Sequence, residues 1–152
     1  MATFPNHDSR LEGIFPSLNQ NNYQVTSPED ISYNCIAWAA EVNSQWWWPD
    51  PTMQYYWPDT VNRECSIDAF IKAYESVGYS VCSSGDPEDG YEKIAIYADT
   101  NKIPTHACRQ IDTKNWTSKL GESYDIKHFI DGLNGNQYGT PKVFMSRKKQ
   151  NS

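Results

Sequence analysis

Histidine and positive charge are both scarce in this sequence. Only three histidines occur in 152 residues, and His7 lies in a polar N-terminal stretch. His106 and His128 are therefore the imidazoles left to act as a base. Lys and Arg number 13 against 19 Asp and Glu, for a formal net charge of −6. That balance argues against a nucleic-acid phosphate backbone as partner. The basic cluster Arg147-Lys148-Lys149 reads as a solvated end. No Cys-x-x-Cys pair links the cysteines at 35, 65, 82 and 108, which argues against a zinc ribbon or a dithiol redox motif. No metal or cofactor is expected. No apolar run reaches membrane-spanning length. Residues 1–8 lack the basic start and apolar core of a secretory signal. The expected location is cytoplasmic, with reduced cysteines, or exported without a cleavable signal.

Aromatic side chains are plentiful: 6 Trp, 10 Tyr and 5 Phe. Each buries a large area, so a packed core is attainable without disulfide staples. The length suits one domain over 1–152. Residues 1–30, with Pro5, Pro16, Pro28 and an Asn-rich run at 19–22, read as an irregular arm, anchored by Leu11, Ile14, Phe15 and Leu18 as one helical turn or as loop contacts. Residues 43–62 form an aromatic loop insert, containing Trp46-Trp47-Trp48-Pro49 and Tyr55-Tyr56-Trp57-Pro58, whose prolines forbid a regular helix or central strand. Its rings either pack over the core or line a cleft, and Trp47 and Trp48 are candidate substrate contacts.

Asn34 is placed to cap a helix that begins at Cys35 and runs to about Val42. A second helix over 66–78 has Ser66 as its cap, an apolar stripe at Ile67, Phe70, Ile71, Tyr74 and Val77, and Gly78 as its stop. Short strands follow at 79–82, 93–98, 103–111 and 143–145, with 124–129 a strand or turn and 116–121 a tight loop. Two helices ahead of a run of short strands predict an α+β fold on an antiparallel sheet.

A thiol in the first turn of a helix meets unpaired N–H groups that favour its anion. Cys35 is accordingly the candidate nucleophile, expected to alkylate faster than the other three cysteines. Period two in the 103–111 strand puts His106, Cys108 and Gln110 on one face and Thr105, Ala107 and Arg109 on the other. The His106 face is expected to turn toward the Cys35 helix. Asp125 is the first choice to orient the imidazole, with Gln110 and His128 as alternatives. Tyr33 and Asn34 are candidate second donors to an oxyanion. A zinc site through His106 and the cysteines has no spacing signature.

The segment Asn34-Cys35-Ile36-Ala37-Trp38, followed by Ile94-Ala95-Ile96-Tyr97 and Thr105-His106-Ala107, resembles the papain-like cysteine hydrolases, in particular the NlpC-type peptidases, related amidases and CHAP domains. In that group a Cys opens a helix packed on a small sheet that bears the His. Glu92-Lys93 stands where many NlpC-type enzymes carry their His, so His106 on the second strand must serve. The resemblance implies a papain-like fold, with Cys35, His106 and Asp125 cleaving an amide bond of a peptide or similar substrate through an acyl-enzyme. The whole chain also resembles a small bacterial family sharing Tyr33-Asn34-Cys35-Ile36-Ala37-Trp38-Ala39, Trp46-Trp47-Trp48-Pro49 and Trp116-Thr117-Ser118-Lys119-Leu120-Gly121, a likeness that carries no activity with it. Two other readings stay open. One is a binding module that uses the aromatic loop. The other is a toxin or effector acting on a host protein, accompanied by an immunity protein or other partner.

Overall fold

The computed structural model describes residues 4–149. In chain order the elements are α1 (Ser9–Ile14), β1 (Tyr23–Ser27), α2 (Cys35–Ala39), α3 (Ile67–Glu75), β2 (Ser80–Cys82), β3 (Tyr91–Ala98), β4 (Pro104–Gln110), β5 (Trp116–Lys119), β6 (Asp125–His128) and β7 (Thr140–Lys148). The strands form one sheet in the order β1-β6-β5-β4-β3-β7-β2, and each neighbouring pair is antiparallel. The fold is α+β, with the sheet as its larger part. No helix among the described residues is long and apolar enough to cross a membrane.

The sheet is buried on both faces by different layers. Against one face lie α2, α3 and the aromatic insert, packing Ile36, Trp47, Trp57, Phe70 and Tyr74 on Ile94, Ile96, Ala107 and Met145. Against the other lies the N-terminal segment, packing Leu11, Phe15 and Leu18 on Ala95, Tyr97, Trp116 and Ile126. β3 sits between the two cores, which explains its unbroken burial from Lys93 to Ala98.

α3 follows its sequence closely. The Ser66 side chain accepts from the Ala69 N–H at 3.1 Å, and Gly78 adopts a φ of +98° after the helix. α2 is shorter than expected and ends at Ala39, because Glu41 turns into the left-handed region with a φ of 65°.

Two expectations need correction. The arm over 1–30 is not irregular throughout its described part. Asp8 caps α1 by accepting from the Arg10 N–H at 3.0 Å. Tyr23 and Val25, both β-formers, point into the core while Gln24 faces out, so β1 joins the sheet edge with Val25 opposite Ile126. The Asn-rich run beside this short alternation masked it. The stretch 116–121, expected as a loop, is β5 followed by a turn at Gly121. All four β5 residues are buried, including Thr117, Ser118 and Lys119. Their polarity hid a central strand.

The aromatic insert closes on itself. Trp48 N–H donates to the Tyr56 carbonyl and Tyr56 N–H to the Trp46 carbonyl, both at 3.0 Å. Trp47 and Trp48 point inward, Trp47 against Tyr56 and Tyr74, and Trp48 edge-on to Phe70.

Candidate active site

Asn34 ties the start of α2 to the insert. Its side-chain oxygen accepts from Ala37 N–H at 3.2 Å and Trp47 N–H at 3.1 Å, and its amide donates to the Trp47 carbonyl at 2.8 Å. The cap expected of Asn34 is thus present, and both ends of its amide are committed to backbone. Cys35 follows, buried in the α2–α3 core. Burial pushes its thiol up to about 11, and the N–H groups of Ala107, Ile36 and Cys35 and the charge of Lys119 offset this only in part. A five-residue helix adds little dipole, so desolvation wins. At neutral pH the thiolate is then roughly one molecule in ten thousand.

This reverses the expected order of reactivity. Cys65 is exposed, whereas Cys35 and Cys108 are buried. In the folded protein iodoacetamide is expected to label Cys65 at least about tenfold faster than Cys35, with Cys35 reacting fully only on unfolding. Peptide mapping by mass spectrometry checks this; faster labelling of Cys35 contradicts it.

The strand register decides where His106 points. Tyr97 pairs with His106, Ile96 with Ala107 and Ala95 with Cys108. Ile96 and Ala107 belong to the core under α2, while Tyr97, Ala95 and Cys108 belong to the opposite one. His106 therefore faces away from α2. The expectation of period two holds, and its parity is the reverse of that expected. The small Ala107 lets α2 approach, and the imidazole finds its polar partner on the far side. No hydrogen bond joins Cys35 to His106 among the described residues.

That partner is Ser118. β4 and β5 pair only through Arg109 with Thr117 and Gln110 with Trp116. Beyond these pairs the Ser118 hydroxyl links the strands, lying 2.9 Å from His106 Nε2 and 2.7 Å from His128 Nε2. His128 Nδ1 lies 2.6 Å from the Phe129 carbonyl and must donate to it. Its Nε2 therefore accepts from Ser118, whose oxygen accepts in turn from His106 Nε2–H. Among the described residues His106 Nδ1 is left as a buried acceptor without a partner. Tyr138 stacks on the His106 ring at 4.1 Å. Burial pulls His128 down to about 4, against the Phe129 carbonyl and Asp131, which favour the cation. His106 is held well below the usual range by burial and by His128. The chain of three side chains is uncharged and sealed.

Asp125 lies on the α2 side, opposite Lys119 in register. One of its oxygens accepts from the Tyr33 hydroxyl at 2.7 Å and from the Ser27 hydroxyl. It orients Tyr33, not His106, which corrects its expected role. Lys119 donates to the carbonyls of Asp30, Gly121 and Ser123 at 2.5, 2.8 and 2.7 Å. Gln110 donates to the Gly85 carbonyl at 2.7 Å. Tyr33, Asn34, Trp47 and Gln110 are thus engaged inside the fold, and Trp48 packs on Phe70. Sequence reasoning set Ser118 and Lys119 in a loop. The alternation of Trp116 and Ser118 with Thr117 and Lys119 was the available signal. Among the described residues no group of three or more His, Cys, Asp or Glu is placed to hold a metal ion.

Residues 24–146 match the family described as Domain of unknown function (DUF7689). The chain belongs to that family. The match runs from β1 into β7 and takes in Cys35, His106, Ser118, Asp125 and His128. No curated protein and no solved structure matches the chain.

Proposed function

We propose that this protein is a non-catalytic binding domain on a papain-like scaffold, with the aromatic insert as its contact surface and a peptide segment rich in basic and apolar side chains as its partner. The observation that carries this reading is the separation of Cys35 and His106 onto opposite sides of the sheet. A thiolate hydrolase needs the base within hydrogen-bond reach of the sulfur. The scaffold likeness rests on a helix-opening cysteine packed on an antiparallel sheet that carries a histidine.

The insert offers what the buried groups lack. Met53 is 71% exposed and Tyr55 and Tyr56 are exposed beside it in the chain, while Ile31, before α2, is 72% exposed. The Trp46 indole donates to the Ile31 carbonyl at 2.6 Å and its ring lies tilted against Tyr55. The Asp50 carboxylate accepts from Thr52, Gln54 and Tyr55, and Arg63 bonds the carbonyls of Asp50 and Tyr55. Such a loop loses little freedom on binding, which favours affinity. Between residues 27 and 65, Asp50 is paired with Arg63 and Glu41 with Arg147, while Glu29, Asp30, Asp59 and Glu64 form no ion pair among the described residues. Apolar and acidic surface together suit a basic, apolar segment.

Fluorescence anisotropy with two labelled peptides tests the reading, one alternating Lys with Phe and one alternating Glu with Phe. The basic peptide is expected to bind at least about tenfold more tightly, and Met53→Asp with Tyr56→Ala to weaken it by a similar factor. Equal binding of the two, or indifference to the loop variants, overturns the proposed surface. Covalent capture of a peptidyl electrophile at Cys35 of the folded protein overturns the non-catalytic reading.

A further inference from the structure

We propose that a groove of about 460 Å³ beside α2 binds the carboxylate of a small apolar acid, with Arg109 as its anchor. This site is separate from the aromatic insert and does not depend on its role. Trp38, Arg109, Ile111, Thr117, Glu41 and Glu92 line the groove.

Arg109 is held ready without being neutralised. Its guanidinium carbon lies 4.2 Å from the Trp38 ring centroid, and one of its nitrogens lies 3.4 Å from the Trp38 carbonyl. The Trp38 indole is itself fixed by a 3.1 Å hydrogen bond to Thr117. Among the described residues Arg109 forms no ion pair, although Arg10, Arg63 and Arg147 each do. Glu41 and Glu92, the nearby carboxylates, are taken by Arg147 at 3.6 and 2.6 Å. The guanidinium sits over the indole and its one hydrogen bond goes to the Trp38 carbonyl, which leaves other N–H donors for a planar, bidentate acceptor. A structural arginine would be expected to spend that edge on a protein carboxylate.

The surroundings choose the class of anion. Among the lining residues Glu41 and Glu92 stand against Lys93, Arg109 and Lys149, which leaves one excess positive charge and suits a singly charged carboxylate better than a doubly charged phosphate. The Trp38 ring and Ile111, which is 51% exposed, supply an apolar flank. The ligand inferred is a monocarboxylate with an aliphatic or aromatic body.

The test is a titration of the intact protein with N-acetyl-phenylalanine, its carboxamide and inorganic phosphate, read from the Trp38 indole N–H resonance. The acid is expected to give a saturable shift, with the amide and phosphate at least about tenfold weaker. Arg109→Gln is expected to weaken the acid by at least about tenfold, and Arg109→Lys, which keeps the charge, by less. If Arg109→Gln unfolds, the lysine variant and the acid–amide comparison still decide. Equal binding of acid and amide, equal binding of phosphate, an unchanged Arg109→Gln affinity or no saturable shift with the acid overturns the proposal.

Discussion

Lowering the pH from about 6.5 to about 5 is expected to remove roughly 3 kcal/mol of folding stability, read as a fall in the urea midpoint. The cause is the buried pair His106 and His128. Both are fully enclosed, and both have folded pKa values below that of a free imidazole, His128 at about 4. The unfolded chain takes up protons at these sites below about pH 6.5, and the folded chain does not. Between the two pKa values the unfolded state therefore binds more protons, and stability falls as pH falls. Each histidine contributes up to about 1.4 kcal/mol per pH unit in that window. Above about pH 7 both are neutral in either state and the slope disappears. Carboxylates such as Asp8, held low by the Arg10 guanidinium, act only at lower pH. His128→Gln is expected to remove about half of the slope, whatever it does to stability at neutral pH. A wild-type midpoint that stays flat from pH 7 to 5 would contradict the sealed, neutral chain.

Lys119→Ala is expected to cost about 4 kcal/mol and lower the thermal midpoint by roughly 8–16 °C, measured by calorimetry at neutral pH. Lys119 is fully buried, yet its ammonium finds three carbonyl acceptors. These belong to the segment before α2 and to the turn between β5 and β6. The lysine thus ties the approach to Cys35 onto the centre of the sheet. It also sits 5.0 Å from the Tyr33 ring centroid, so the truncation removes a cation–π contact and leaves a void. Burial lowers its pKa, with Asp125 and Asp30 pulling the other way. Lys119→Met, which fills the same volume, is expected to recover part of the loss through packing alone. A change under about 1 kcal/mol for the alanine variant would mean that the three carbonyls are satisfied by water as readily as by the lysine.

What the sequence discloses here depends on how strongly a segment declares its period. α3 is legible because its cap, its apolar spacing and its terminal glycine agree. β3 and β4 are legible as an apolar strand, a turn and a return. β5 is not, since three of its four residues are polar and become buried only because partners such as Trp38, His128 and Asp30, outside the strand, satisfy them. The same holds for the candidate site. Asn34 and Cys35 sit where local rules set them, at a helix start. The facing of His106 is a matter of parity, and nothing within β4 distinguishes one side of the sheet from the other. That choice is made by Ser118 and His128, which come later in the chain. The inward turn of Trp47 and Trp48 is likewise fixed by Tyr74 and Phe70 on α3, beyond the reach of local spacing.

The two outermost strands bear on how the protein behaves when crowded with copies of itself. An exposed strand edge offers unpaired amides that another chain can extend. Here one border is β2, three residues long, and the other is β1, five residues with an irregular step between Val25 and Ser27. Neither is long or regular enough to template a continuous intermolecular ladder, although Val81 on the shorter border is 55% exposed. β3 lies between β4 and β7, and β7 is paired with β3 along its length and with β2 over Phe144–Ser146. Native protein is therefore expected to stay dispersed at high concentration, with self-association beginning only once unfolding bares the interior strands.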